Sequence, residues 1–203
     1  MIVFVISLRD SPRRLTLKDR MEKGGIDNYE VIDADEVDDD LDVRLKEMNS
    51  IDWRRCSLMK NMRKDRSRKA CYLSYVKLLR KCIDEGIEEC LICEDDIIFN
   101  GNVIDALSSS PMDSVMSFFD TTRIDGKYDK DHNGWSYIDG FDVWCLGCSY
   151  YHNIFKIYWE LVNNPPKVVD KMIIQYIQRD YKTYLYLPSI CKQDRKSFES
   201  DIY

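Results

Sequence analysis

The sequence predicts a single α/β domain whose mainly parallel central sheet is flanked by helices, and three observations carry that reading. Residues 2–8, IVFVISL, are a short unbroken apolar run, as a central parallel strand requires when both of its faces are covered. Comparable runs return after segments whose apolar residues recur every three or four positions, so strands and helices alternate. Acids close two of these runs, at Glu94-Asp95-Asp96 and at Asp120, where open α/β sheets bind their ligands.

The elements follow in order. After the first strand, Ser11 can cap a helix, Pro12 suits its first position, and Gly24 or Gly25 can end it. Leu15, Leu17 and Met21 supply its apolar contacts, and YEVIDA (29–34) reads as a second strand, giving a β-α-β unit. The acidic stretch from Asp33 to Asp42 reads as a solvated loop; it lacks the glycine and closing glutamate of an EF-hand. Residues 43–66 have no legible pattern, and the cationic run 54–69 reads as a solvated loop or helix face. From Ser67, an apolar stripe of Tyr72, Tyr75, Val76, Leu79, Cys82 and Ile83 marks a helix that Gly86 closes. A strand at 90–93 runs into the three acids. VMSFFD (115–120) is another strand, 123–140 a long polar loop, 141–151 strand-like, 154–162 helical, and 167–180 an amphipathic helix after Pro165-Pro166. TYLYLP (183–188) alternates as a last strand, and the remainder from Lys192 is a polar tail.

Composition excludes several classes. The 203 residues carry 30 basic and 36 acidic side chains, a net charge of -6, which argues against wrapping nucleic acid. No apolar run approaches the roughly 18 residues of a membrane span, and MIVFVISL has no basic segment before it, so it reads as a strand rather than a signal peptide. Eight cysteines without an export signal suggest a reducing, cytoplasmic setting. Cys90/Cys93 and Cys145/Cys148 have the spacing of a zinc pair, but residues three apart in a strand point to opposite faces. Buried free thiols are the favoured reading over a zinc-stapled interaction module. Neither His132 nor His152 receives a ligand role.

Three adjacent carboxylates leaving an apolar strand need arginines, a water-filled cleft or a cation to offset their charge. The turn after the first strand, LRDSPRR, has no glycine-rich phosphate loop but places Arg9, Arg13 and Arg14 near a helix N-terminus. Hard oxygen donors of this kind suit Mg²⁺ or Mn²⁺, which also bridge phosphate oxygens. The plainer reading has the acids capping a helix or pairing with lysines. A metal-dependent phosphoryl or nucleotidyl transferase, with Asp95, Asp96, Asp120 and Asp142 around two metals, is the alternative enzyme.

VISLRDSPRRLTLKDRMEKGGIDNYEVIDADE and ACYLSYVKLLRKCIDEGIEECLICEDDIIF, with Val169-Asp170 and Pro188 further on, resemble the glycosyltransferases of lipooligosaccharide biosynthesis and collagen galactosylation. The short format is also similar to a capsid-decorating glycosyltransferase domain of large algal viruses, which would place the protein in the host cytoplasm. The resemblance implies a GT-A fold, a nucleotide-diphosphate donor (a UDP-sugar), Mn²⁺ or Mg²⁺, and a glycan or glycoprotein acceptor hydroxyl. It implies that Asp96, with Glu94 beside it, coordinates the metal and that Asp95 contacts the ribose or a metal-bound water. Ser7, Leu8 and Arg9 would line the nucleotide pocket with Asp33 at its edge, and Arg14, Arg68 and Ser74 would approach the pyrophosphate. Tyr75 stands where that family usually has histidine. For the base that deprotonates the acceptor, the options are Asp170 and Asp120, with Asp170 favoured.

Overall fold

Strand β1 (Val3–Ser7) is buried at every position, as its unbroken apolar run requires. Val3 and Val5 face one apolar cluster with Leu17, Met21, Leu91 and Cys93, while Phe4 and Ile6 face another with Tyr72, Val76, Leu79 and Ile92. The two-residue period of a strand thus divides the core into two halves, one on each side of the sheet. The computed structural model describes residues 1–48, 62–120, 123–125, 134–139, 142–144, 147–164 and 168–194. The expectations for residues 49–61, the centre of the polar loop at 126–133, Cys145, the Pro165-Pro166 pair and the tail from 195 on lie outside the described residues.

The first unit is β-α-β as expected. Ser11 accepts from the Arg13 N–H and starts a 3₁₀ turn over Pro12–Thr16, which leads into α1 (Leu17–Lys23). β2 (Glu30–Asp33) then pairs parallel to β1. Leu15 departs from expectation: the tighter 3₁₀ turn rotates it outward, leaving it 89% exposed. Part of the region without a legible pattern is helical, as α2 (Leu41–Met48), seated by the buried Leu41 and Leu45. The long helix α3 (Met62–Asp84) begins earlier than Ser67, and Gly86, at φ +71°, follows its end.

β3 (Cys90–Glu94) pairs parallel with β1 on the side opposite β2. The apolar residues after the acids are a separate strand, β4 (Ile97–Phe99), followed by α4 (Val103–Ser108) and β5 (Met116–Phe118). The region 123–140 contains β6 (Arg123–Asp125) and β7 (Trp135–Tyr137), and the strand-like segment 141–151 is two strands, β8 (Asp142–Trp144) and β9 (Cys148–Tyr151). Helix α5 (Ile154–Asn163) precedes α6 (Val169–Met172), which continues as a π-helical turn over Ile173–Gln178. There the buried Gln178 side chain accepts from the Val143 N–H at 2.9 Å and donates to its carbonyl at 2.7 Å, completing the β8 edge.

Strand β10 (Thr183–Tyr186) is not the last, because β11 (Cys191–Gln193) pairs antiparallel with β4. The central sheet runs β2-β1-β3-β9-β5-β10-β7. Parallel pairing of β1 with β2 and β3, and of β5 with β10, sets five strands one way; β9 and β7 run against them. The fold is α/β with a mainly parallel sheet, as the sequence predicts. Helices α3, α5 and α6 pack with one apolar cluster, and α1, α4 and β4 with the other.

Candidate active site

The carboxyl ends of β1, β3 and β5 rise to one edge of the sheet, and the expected residues divide there into two groups. The first gathers at the end of β1. The Ser7 hydroxyl donates to Asp95 Oδ2 at 2.6 Å, the buried Arg13 donates to Asp95 Oδ1 at 3.3 Å, and the Asp95 N–H donates to the Ile6 carbonyl at 3.1 Å. Asp95 is thereby turned into the protein and holds the first turn against β3. Arg14 donates to the Ser7 hydroxyl (3.1 Å), the Ser7 carbonyl (2.8 Å) and Asp33 Oδ1 (2.6 Å); Arg9 donates to Asp33 Oδ2 through Nε (3.1 Å) and Nη2 (2.9 Å). Hydrogen bonds from Arg14 first and Arg9 second hold the Asp33 carboxyl below its usual range. Leu8 completes this turn, its carbonyl accepting from Ser11. Ser7, Leu8, Arg9, Arg14 and Asp33 therefore share one locale.

Ser74 and Arg68 sit on α3. The Ser74 hydroxyl donates to the Ala70 carbonyl at 2.9 Å and accepts from the Asp35 N–H at 2.7 Å, tying the segment after β2 to the helix. Arg68 lies half-buried six residues earlier.

The second group is made of acids from three elements. Glu94 ends β3, Asp96 lies in the turn beyond it, Asp120 follows β5, and Asp170 stands in the first turn of α6. Tyr75 from α3 donates to Glu94 Oε1 at 3.2 Å and Gln193 from β11 donates to Oε2 at 2.7 Å. Burial first, then the charges of Asp96, Asp170 and Asp120, push the Glu94 carboxyl up to about 8. Asp120 is completely buried rather than solvated: β9 covers it, and its Oδ1 accepts from the Cys148 N–H at 3.0 Å. Its Oδ2 is buried with no hydrogen-bond partner. Burial, with further contributions from Asp170 and Asp96, raises this carboxyl to about 7, against the opposing pull of the Cys148 N–H and, more weakly, the Gly147 N–H.

Gly147 is what lets Asp120 stand there. A Cβ at this position would lie 2.9 Å from Ile97 Cδ1, 3.0 Å from Asp120 Oδ2 and 3.1 Å from Gln193 Cγ. Gly147 also accepts the Glu94 N–H through its carbonyl at 2.8 Å. The sequence marks this glycine only as part of the Cys145-Leu-Gly-Cys148 spacing, and nothing in the polar stretch KQD marks Gln193. Tyr75 reads as one position of an apolar stripe, and only the comparison with histidine-bearing relatives singles it out.

Other expected groupings are not assembled. Asp142 pairs with Arg179 at 3.6 Å in the β6–β8 ribbon and Asp95 is taken by Ser7 and Arg13, so the four-acid two-metal set does not gather. Cys90 and Cys93 point to opposite sides of β3, Cys90 towards Cys82 and Cys93 to within 3.6 Å of Cys148, and the described cysteines are free thiols. Among the described residues, no three His, Cys, Asp or Glu side chains stand close enough to ligate one ion by themselves. Crowded carboxylates with one buried, unpartnered oxygen nevertheless fit a hard divalent cation of the Mg²⁺ type. Such an ion takes one or two protein carboxylates and completes its shell with phosphate oxygens and water. None of the described helices is long and apolar enough to cross a membrane.

Comparison with known proteins adds a family. The model of "Glycosyltransferase family 25 (LPS biosynthesis protein)" matches residues 1–137, which include both groups of site residues except Asp170 and Gln193. No curated protein matches the chain significantly. Among solved structures, a glycosyltransferase involved in the glycosylation of the major capsid of PBCV-1 is similar at 9% identity and a TM-score of 0.46. The match covers 92% of this chain and 82% of that one. At that identity and score the likeness carries no weight for activity.

Proposed function

The chain belongs to glycosyltransferase family 25 and transfers a sugar; from that premise we propose that the donor is a nucleotide-diphosphate sugar, a UDP-sugar, used with Mn²⁺ or Mg²⁺ on a glycan or glycoprotein hydroxyl. The observation that carries the proposal is the convergence of Glu94, Asp96, Asp120 and Asp170 at the carboxyl edge of the sheet, beside the Ser7–Arg14 turn. Ser7, Leu8 and Arg9 line the nucleotide pocket with Asp33 at its rim, and Arg14, Arg68 and Ser74 approach the diphosphate. Asp96 and Glu94 would hold the cation. When bound, it neutralises the departing diphosphate, a contribution of several kcal/mol. Asp95, already bonded to Ser7 and Arg13, keeps the nucleotide turn and the acidic turn in register and meets the ribose from there.

Asp170 is the base. It is half-buried on a helix whose Val169, Met172 and Ile173 are anchored in the core, so it can meet an acceptor hydroxyl from a fixed position. Asp120 is fully buried and already bonded to the Cys148 N–H, which suits it to shaping the field around the other acids.

The test is calorimetric titration of UDP and a panel of UDP-sugars, with and without Mn²⁺, backed by thermal unfolding. A ligand at a hundredfold excess over its Kd raises stability by about 2.7 kcal/mol. Mn²⁺-dependent binding of a nucleotide diphosphate is the expected result. Absence of any such binding, or hydrolysis of nucleoside triphosphates without sugar transfer, would overturn it.

A further inference from the structure

Glu94 at the end of β3 and the two acids of the turn beyond it are each gripped by something from elsewhere in the chain. Gln193 donates to Glu94 Oε2 at 2.7 Å. Arg20 of α1 donates to the Asp95 carbonyl at 3.1 Å. The Asp194 N–H donates to the Asp96 carbonyl at 2.6 Å. A buried ion pair closes the set, with Arg20 Nη2 3.5 Å from Asp194 Oδ2 and side chains only 12% and 8% exposed. The strand that delivers these contacts is itself fixed. In register, Gln193 stands opposite Ile97 and Cys191 opposite Phe99, Cys191 is buried, and Gly147 leaves just enough room for the Gln193 side chain.

A strand serving only to cover β4 would need its ladder bonds and an apolar residue such as Cys191. It would not need an amide aimed at a crowded carboxylate, or a buried aspartate that closes a circuit through Arg20 to the next peptide. Buried polar groups impose direction because each must find its partner. Here the directions set are those of the Glu94 carboxylate and of the two peptide planes that flank Asp96.

We infer that Gln193 is a positioning residue for sugar transfer, and that Cys191–Asp194, with Arg20, form a clasp that sets the Glu94 and Asp96 carboxylates. The inference rests on the reading that these two carboxylates serve a metal-assisted donor. Groups that orient metal-facing carboxylates affect affinity far more than their modest hydrogen bonds suggest, and their loss typically costs about 10- to 100-fold in metal affinity.

The experiment is a double-mutant cycle of Gln193→Met and Glu94→Gln on the full chain, with Gln193→Asn as a second disruption of the same bond. It is read in the melting temperature of the metal-free protein and in the affinity for UDP with and without Mn²⁺. Gln193→Met should reduce the increment that Mn²⁺ adds to UDP binding by about 10- to 100-fold while leaving the affinity for UDP alone unchanged. Its effects on melting and on the increment should both vanish in the Glu94→Gln background. An unchanged increment, additive effects, or an equal loss of affinity for UDP alone would overturn the clasp. Coupling in the melting temperature, in a parent protein that shows no Mn²⁺ increment at all, would instead overturn the metal-assisted reading and the positioning role with it.

Discussion

Replacing Asp120 with asparagine should change how stability depends on pH in the metal-free protein. Asp120 is wholly buried and its carboxyl lies at about 7 against an ordinary value of 3.8, roughly three units. The folded-state value is raised, so between about pH 4 and pH 7 the native protein holds a proton that the unfolded chain has released. Its contribution to stability is therefore complete below about pH 4 and is lost as pH rises through 7. At 1.36 kcal/mol per unit, the loss by pH 8.5 is on the order of 4 kcal/mol. Asparagine keeps an oxygen for the Cys148 N–H but sets an amide where Oδ2 now stands, against Gly147, at a cost of about 1–3 kcal/mol that does not vary with pH. Urea denaturation from pH 5 to 8.5 in the presence of a chelator measures both terms. The parent should weaken steeply over that range and the variant much less, so that the two lie close together at pH 5 and the variant is the more stable near pH 8.5. Because the Asp120 charge also raises the Glu94 carboxyl, part of the Glu94 contribution should flatten with it. Parallel stability curves for the two proteins would refute the account of Asp120 as a strained, buried acid.

Asp96→Asn should abolish the Mn²⁺-dependent part of UDP binding with melting temperature within a few degrees of the parent, whereas unchanged Mn²⁺ dependence would remove Asp96 from the metal's shell. Arg9→Ala and Arg14→Ala should each weaken UDP binding, Arg14 more, because it also holds Ser7; calorimetry giving parental affinity for both would place the nucleotide elsewhere. Asp170→Asn should keep Mn²⁺-dependent donor affinity and lose about 10²–10⁴-fold in transfer rate, as removal of a general base does. Normal turnover in that variant, beside an inactive Asp120→Asn, would exchange their roles.

What could be read in advance follows from how local its cause is. The β-α-β opening was legible because an apolar strand, the Ser11 cap and the glycines after the helix all act within a few residues. The acids were legible as a strand-end feature for the same reason. The burial of Asp120 was not, because its cover comes from Cys148 in a strand 28 residues away, joined in antiparallel order. Nor was the division of 141–151 into β8 and β9, since continuous strand-forming residues do not reveal which of two sheets each part joins. Leu15 turns outward because a 3₁₀ turn does not keep the helical period that its spacing follows. For Asp170 the sequence offers a carboxylate at the start of an anchored helix, and only the family resemblance sets it near the acceptor. Its own segment displays an amphipathic helix and gives no sign that the Asp170 charge helps to raise the Glu94 carboxyl. Strand β11 is three residues long and mostly polar, so its pairing with β4 leaves no periodic trace.

The bond between Glu94 and Gln193 spans 99 positions of the chain, and that separation has a consequence for how the protein is made. Translation proceeds at about 5–20 residues per second, so roughly 5–20 s pass on the ribosome between the synthesis of the acids and that of the amide that holds one of them. Throughout that interval the β-α-β opening can already pair, since its partners are close in sequence and their loops cost little to close. The crowded carboxylates of the turn meanwhile remain without their last restraint. The acidic turn therefore gains this contact only after β11 has been made, and a ribosome that stalls a few codons before residue 193 would leave a nascent chain able to form the β1–β3 pairing but not the Glu94–Gln193 bond.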